Sequence, residues 1–386
     1  MKSKDYQGIR ILVLDCYGRQ TSIILRELHK LGCVITTVNY SKLDIGYSSH
    51  YPKRRIVLRS EKNDKEALKN LLDREIFSDN YDVVFPLLEL STEIINENRE
   101  EYSKHVRIIA AEKESFEIAY DKQLTMECCM KAGIPCPITK KAEEKLDDFV
   151  KRLGFPLVLK PRKSSGSIGF HCVKSQDELD NLVDTINLDE YVVQEYIPQT
   201  GAQLLAYLMF DRESNVKSCV VAEKVRWYPL DGGTATLMST ILDDAVSDNC
   251  IKLLKEIKWT NYAHIDLILD PRDGVEKVME INGRIPASIK IDTCVGIPFM
   301  KQLLDNVYNK DVDSFMSYEA GKRLRHFQAD VLCFLKSKNR FKFKPSFFNN
   351  FKTKDMVFCF FDPIPFFTYS ISHVKSYKKD MKKRSR

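Results

Sequence analysis

Residues 264–284 read HIDLILDPRDGVEKVMEINGR, and no other stretch constrains the fold as much. Apolar and polar residues alternate on both sides of Pro271-Arg272-Asp273-Gly274, a turn-forming quartet. A period of two marks a strand with one face packed and the other free, so the pattern predicts a hairpin. If Asp266 stands opposite Glu280, residues 270–276 close it. Asp266, Glu280 and Asn282 then share one face, and Ile265, Leu267, Leu269, Met279 and Ile281 take the other, against a core. Two carboxylates and an amide oxygen make a hard-oxygen site suited to Mg²⁺ carrying phosphates. Arg284 adds a planar cation able to stabilise charge on a transferring phosphoryl group. The plainer alternative is a surface hairpin with solvated carboxylates. The apolar opposite face favours a cleft, where facing carboxylates repel unless a cation lies between them.

A second segment, PLVLKPRKSSGSIGF at 156–170, predicts a strand ending near Lys160, then a Ser/Gly loop. Small residues let backbone N–H groups approach phosphate oxygens, and Lys160 supplies a point charge beside them. The spacing is not that of a Walker loop, and an ordinary Ser/Gly hairpin loop fits the same residues. A third segment, YVVQEYIPQTGAQLLAYLM at 191–209, predicts an extended stretch able to offer backbone groups to a purine edge. In AEKVRWYPLDGGTATLMST, residues 222–240, Arg226 leads an aromatic loop ending in Gly232-Gly233. That arginine suits either a substrate carboxylate clamp or a structural ion pair.

Earlier in the chain, an apolar run at 9–14, an amphipathic stretch and a second run at 33–38 read as strand, helix, strand. Further short strands are expected at 83–86 and 106–111, giving a small open parallel sheet. The glycine spacing after the first strand is not G-x-G-x-x-G, so a dinucleotide fingerprint is absent. Helix is expected over 115–150, broken at 133–137, and strands from 156 to about 225. The 386 residues suggest two or three domains, with boundaries near 112 and 311.

Eleven cysteines without C-x-x-C spacing fit free thiols in a reducing compartment. The polar N-terminus lacks a signal-peptide core, and no apolar run is long enough to span a bilayer, so a cytoplasmic location is expected. The net charge of +6 is uneven: residues 311–386 carry 17 Lys+Arg against 7 Asp+Glu and 13 of the 21 phenylalanines. That extension suits either an interfacial anchor on an anionic inner-membrane face or a subdomain packing its phenylalanines on the body. The second is preferred. No recognised nucleic-acid-binding module is present, so nucleic acid is not an expected partner.

Taken in order, these segments resemble the ATP-grasp superfamily, in particular its carbamoyl-phosphate-synthetase-like branch, over about residues 112–310. The resemblance implies an α/β and α+β chain: an ATP-grasp fold at 113–310 in two subdomains with nucleotide between them, preceded by an α/β domain at 1–112 and followed by the basic extension at 311–386. It implies ATP and Mg²⁺, with Mn²⁺ as an alternative. Lys122 matches the first phosphate-contacting basic residue and Lys160 the second. Ser165, Gly166, Ser167 and Gly169 match the phosphate lid. Gln194, Glu195, Tyr196 and Ile197 match the adenine hinge. Asp266, Glu280 and Asn282 match the metal ligands, and Arg284 the phosphate-facing arginine. Gln203 stands where relatives carry an acid for the ribose. Arg226, Gly232, Gly233 and Ser288 are expected toward substrate, with Glu89 a weaker candidate.

The resemblance implies acyl-phosphate chemistry: a small-molecule carboxylate is phosphorylated and then captured by an amine, in the making of a cell-surface saccharide or a peptide-like metabolite. The alternatives are a carbamoyl-phosphate-forming or carboxylating relative and a non-catalytic nucleotide-binding scaffold at a membrane. Oligomeric state is not readable.

Overall fold

The computed structural model describes residues 5–164, 168–230, 233–349 and 351–373. The N-terminal unit is a five-stranded sheet of β1 (Arg10–Val13), β2 (Val34–Asn39), β3 (Arg54–Val57), β4 (Val83–Phe85) and β5 (Arg107–Ile108), in the order β3-β2-β1-β4-β5 with every pair parallel. Parallel neighbours need crossovers, and these cover both faces with helices. Ile11, Leu12 and Val13 are accordingly sealed from solvent. The order reverses between β1 and β4, which opens a crevice beyond their carboxyl ends. The helix Glu89–Glu97 starts there. β3 is the one strand of this sheet that the sequence pattern did not single out.

A small lobe follows, with β6 (Leu157–Pro161), β7 (His171–Val173) and β8 (Tyr191–Glu195) in the antiparallel order β7-β6-β8. Its own core contains Phe149, Leu157, Leu159, Val173, Leu179 and Val193. Alternation along β6 sends Leu157 and Leu159 into that core and leaves Lys160 on the other face.

The largest sheet has seven strands: β9 (Gln203–Phe210), β10 (Val216–Tyr228), β11 (Thr234–Ile241), β12 (Asn261–Asp270), β13 (Val275–Asn282), β14 (Arg323–Arg325) and β15 (Thr353–Asp355). Their order is β13-β12-β9-β10-β11-β14-β15. β9 lies inside this sheet and is buried on both faces, which explains its continuous apolar run. Leu205, Tyr207 and Met209 join a core shared with the N-terminal sheet. Leu204, Ala206, Leu208 and Phe210 join a second core under the helices Lys113–Tyr120, Lys122–Ala132 and Asp244–Glu256.

Two expectations need correction here. Arg226 is not in a loop: β10 runs on to Tyr228 and pairs with β11 in a long antiparallel hairpin. The C-terminal stretch packs mainly through residues other than its phenylalanines, of which Phe315 and Phe366 lie partly buried against the main core. β14 and β15 extend the large sheet, and Leu324, Met356 and Val357 enter the main core. None of the thirteen phenylalanines after residue 310 is buried.

Candidate active site

The β12–β13 hairpin forms in the expected register, with Asp266 opposite Glu280, His264 opposite Asn282 and Asp270 opposite Val275. Ile265, Leu267 and Ile281 are buried in the core behind it, while Leu269 and Met279 are partly buried. The ladder slips between Asp266 and Leu267, and this bulge leaves Met279 without a partner of its own.

On the open face the two carboxylates are held by different lysines. Asp266 Oδ1 lies 3.2 Å from Lys224 Nζ, and its Oδ2 accepts from Asn282 Nδ2 at 3.0 Å. Burial acts to raise the Asp266 carboxyl, but Lys224, His264 and Arg284 outweigh it and hold it below the ordinary carboxylate range. Glu280 Oε2 lies 3.6 Å from Lys122 Nζ.

Lys122 opens the helix Lys122–Ala132, whose N-cap Asp121 accepts from the backbone N–H groups of Gln123 and Leu124. Arg162, just past β6, pairs with Asp121 at 2.7 Å, and the Arg162 carbonyl accepts from the Lys122 backbone N–H. Lys122 Nζ also donates to the Ser164 carbonyl at 2.7 Å. The loop after β6 is therefore pinned to this helix start.

Lys160 comes from the small lobe and crosses to the hairpin, donating to the Met279 carbonyl at 3.4 Å. Burial pushes its ammonium down to about 8; Lys122 acts the same way and Glu280 opposes. Asn282 Oδ1 accepts from Arg284 Nη2 at 3.3 Å, and Arg284 Nε donates to Glu89 Oε1 at 2.7 Å. Glu89 heads its helix at the switch point of the N-terminal sheet, so that sheet closes one side of the site. Glu89, Tyr120, Lys122, Ser164, Glu280 and Asn282 help line a small cleft.

Two neighbours had escaped the sequence reading. His264 shares the alternation of Asp266 and was legible on that ground. Burial pushes its imidazole down to about 4, so it is neutral at physiological pH. Lys224 reaches Asp266 from β10 across β9 and had no local signal.

The remaining candidates are placed as follows. Glu195 is buried and its carboxylate is committed: it accepts from the Ile138 backbone N–H and from Arg272 Nη2 at 2.6 Å. Arg272 and Lys277 also clamp Asp270, holding its carboxyl well below the ordinary range. This cluster fastens the end of β8 to the hairpin turn. The Gln194 side chain donates to Thr139 Oγ1 at 2.8 Å, Ile197 is buried and Tyr196 partly so. Gln203 accepts from Lys224 Nζ at 3.3 Å. Gly169 has φ +73°, and a Cβ there would meet Pro161 Cγ at 2.7 Å. Ser288 shares a hydrogen bond of 2.8 Å with the Tyr207 hydroxyl.

Arg226 is brought to none of these groups among the contacts described. It is buried and donates through Nε and Nη2 to Asp330 at 2.8 and 2.7 Å, the structural ion pair rather than the clamp. Gly233 sits in the β10–β11 turn, where a Cβ would be 2.3 Å from the Tyr228 carbonyl oxygen. Ser165, Gly166, Ser167 and Gly232 lie outside the described residues.

The donor set fits a hard divalent cation: two carboxylates directly opposite each other and an amide oxygen, all partly reached by solvent. Among the described residues no group of three or more His, Cys, Asp or Glu converges.

Comparison with known proteins agrees with this geometry. Residues 119–288 match the model of the ATP-grasp domain. The chain is 27% identical over 207 residues to a D-alanine–D-alanine ligase of Bacillus anthracis, covering 49% of this chain and 66% of the ligase. It is 24% identical over 241 residues to a D-aspartate ligase of Enterococcus faecium, covering 56% of this chain and 57% of that enzyme. The matches thus span about two thirds or less of those relatives' length. Among solved structures, the biotin carboxylase domain of a Hydrogenobacter thermophilus 2-oxoglutarate carboxylase, in complex with MgADP, ADP and bicarbonate, superposes with TM-score 0.67 at 14% identity, covering 82% of this chain and 74% of that one.

Proposed function

We propose, from the match of residues 119–288 to the ATP-grasp domain model, that the protein is an ATP- and Mg²⁺-dependent ligase joining a carboxylate to an amine. One observation carries the reading. Asp266, Glu280 and Asn282 share a face of one hairpin, with Lys122, Lys160 and Arg284 arriving from three directions. Phosphoryl transfer needs positioning and charge neutralisation more than covalent help from the protein, and this set is rich in both while lacking a nucleophile.

In the proposed reaction, Lys122 and Lys160 bind phosphate oxygens as cations. Residues 194–197 border the adenine, with Gln203 toward the ribose. Mg²⁺ held by Asp266, Glu280 and Asn282 would neutralise phosphate charge. The substrate carboxylate forms a bond to the γ-phosphorus as the bond to ADP breaks, and Arg284 stabilises charge on the group in flight. The amine nitrogen then forms the amide, phosphate leaves and the amine gives up a proton. Ser288 and Glu89 border the acceptor side. The D-alanine and D-aspartate ligase relatives favour an amino acid among the substrates and a cell-surface or peptide-like product.

A carboxylating reaction is the second reading, favoured by the superposition on a biotin carboxylase domain. ADP release measured across a matrix of D- and L-amino acids, amino sugars and bicarbonate separates the two. The ligase reading expects ADP only when a carboxylate and an amine are both supplied. ADP release that needs bicarbonate and no amino acid would overturn it.

A further inference from the structure

The C-terminal stretch presents a surface that the ligase chemistry does not use. Among the described residues, eleven of the twenty-one exposed large hydrophobic side chains fall between Phe327 and Ile371. Phe341, Phe348, Phe351, Phe360, Phe361 and Phe367 are 60–79% exposed. Isolated exposed apolar residues are ordinary, but a contiguous set marks an interaction surface.

This set is contiguous. Phe334 packs its ring against Phe341, Phe343, Phe347 and Phe348, and Phe366 against Phe327, Phe358 and Phe367. The Arg325 guanidinium joins the two groups, lying 4.1 Å from the Phe347 centroid and 5.2 Å from that of Phe327. Basic residues are interleaved with the rings. Residues 336–354 contain seven Lys and Arg and no Asp or Glu, and six of the seven are exposed. Three of the acids nearby are turned inward: Asp330 is buried between Arg226 and Arg325, Asp355 accepts from three backbone N–H groups, and Asp362 is buried against Ser49 and His50, while the exposed Glu319 pairs with Lys322 and lies 3.7 Å from Lys352.

We propose that this Phe-rich basic face seats the protein on an anionic lipid surface. Aromatic rings enter the interfacial region while the lysines meet lipid phosphates and carboxylates. No described helix is long and apolar enough to cross a membrane, so the contact is peripheral. Charge disfavours the other occupants. A second copy docking through the same face would set seven cations against seven across the symmetry axis. Nucleic acid would match the charge but leaves the phenylalanine and isoleucine side chains without an apolar partner.

The test is sedimentation of the full chain with vesicles of phosphatidylcholine alone or mixed with phosphatidylglycerol. Two variants accompany it: Phe348→Ser/Phe360→Ser/Phe361→Ser, and Lys338→Glu/Lys342→Glu/Lys352→Glu. Unchanged thermal unfolding certifies that each variant folds. The proposal expects pelleting with anionic vesicles only, weakened by salt and reduced at least about tenfold in either variant. Equal pelleting on both vesicle types, or none on either, overturns it. So does self-association abolished by the Phe variant, or binding of an oligonucleotide in place of vesicles.

Discussion

At the scale of single residues, the site keeps like charges apart by giving each a partner. Lys224 attends Asp266, Lys122 attends Glu280, and Glu89 attends Arg284. Behind it lies a group with a different lesson. Asp292 is buried, its Oδ2 accepts from the Tyr262 hydroxyl at 2.8 Å, and burial pushes its carboxyl up to about 8. A folded-state value above the unfolded one means that the neutral form favours folding. That stability is fully present below about pH 4, the unfolded value, and is lost as pH rises through about 8. Asp292→Asn keeps an acceptor for Tyr262 and cannot ionise. Urea denaturation across pH should show the wild type losing stability over that window while the variant stays flatter. Parallel profiles would mean that Asp292 does not titrate in the folded protein.

At the scale of elements, the hairpin was legible because two independent signals coincide: period-two alternation and a Pro-Arg-Asp-Gly turn. Together they set the register, and register put Asp266 opposite Glu280 before any contact was known. Where one signal was missing, the reading failed. RLR of β14 and TKD of β15 are too short to show a period; β14 exists because β11 offers an edge, and β15 because β14 then does. The tryptophan and tyrosine before Pro229 suggested a loop, whereas they continue β10. Lys224 depends on three strands lying side by side, which no local pattern encodes. The link between the lobes carries its own constraint. A Cβ on Gly201 would lie 1.8 Å from the Leu269 carbonyl oxygen, so the chain leaving the small lobe presses on β12. Gly201→Ala should cost about 1–3 kcal/mol of stability, read by denaturant unfolding. An unchanged midpoint would show that this approach relaxes freely.

For the molecule as a whole, the cleft is assembled from three places: the hairpin, the small lobe through Lys160, and the N-terminal sheet through Glu89. The C-terminal stretch supports the sheet from the far edge, locked by Asp330 among Arg226, Arg325 and Thr236. Removing one member of a buried ion pair costs about 3–5 kcal/mol. Arg226→Met should therefore lower the unfolding temperature while leaving the KM of the proposed ligase reaction unchanged; a raised KM with normal stability would return Arg226 to the substrate. The central claim is that the hairpin face and the two lysines bind nucleotide with a divalent cation. Calorimetric titration of ATP into the protein, with and without Mg²⁺, tests it most directly. The account predicts binding that strengthens with Mg²⁺, loses that gain in Glu280→Gln and weakens at least about tenfold in Lys160→Met. Binding indifferent to Mg²⁺ and to both substitutions would contradict it.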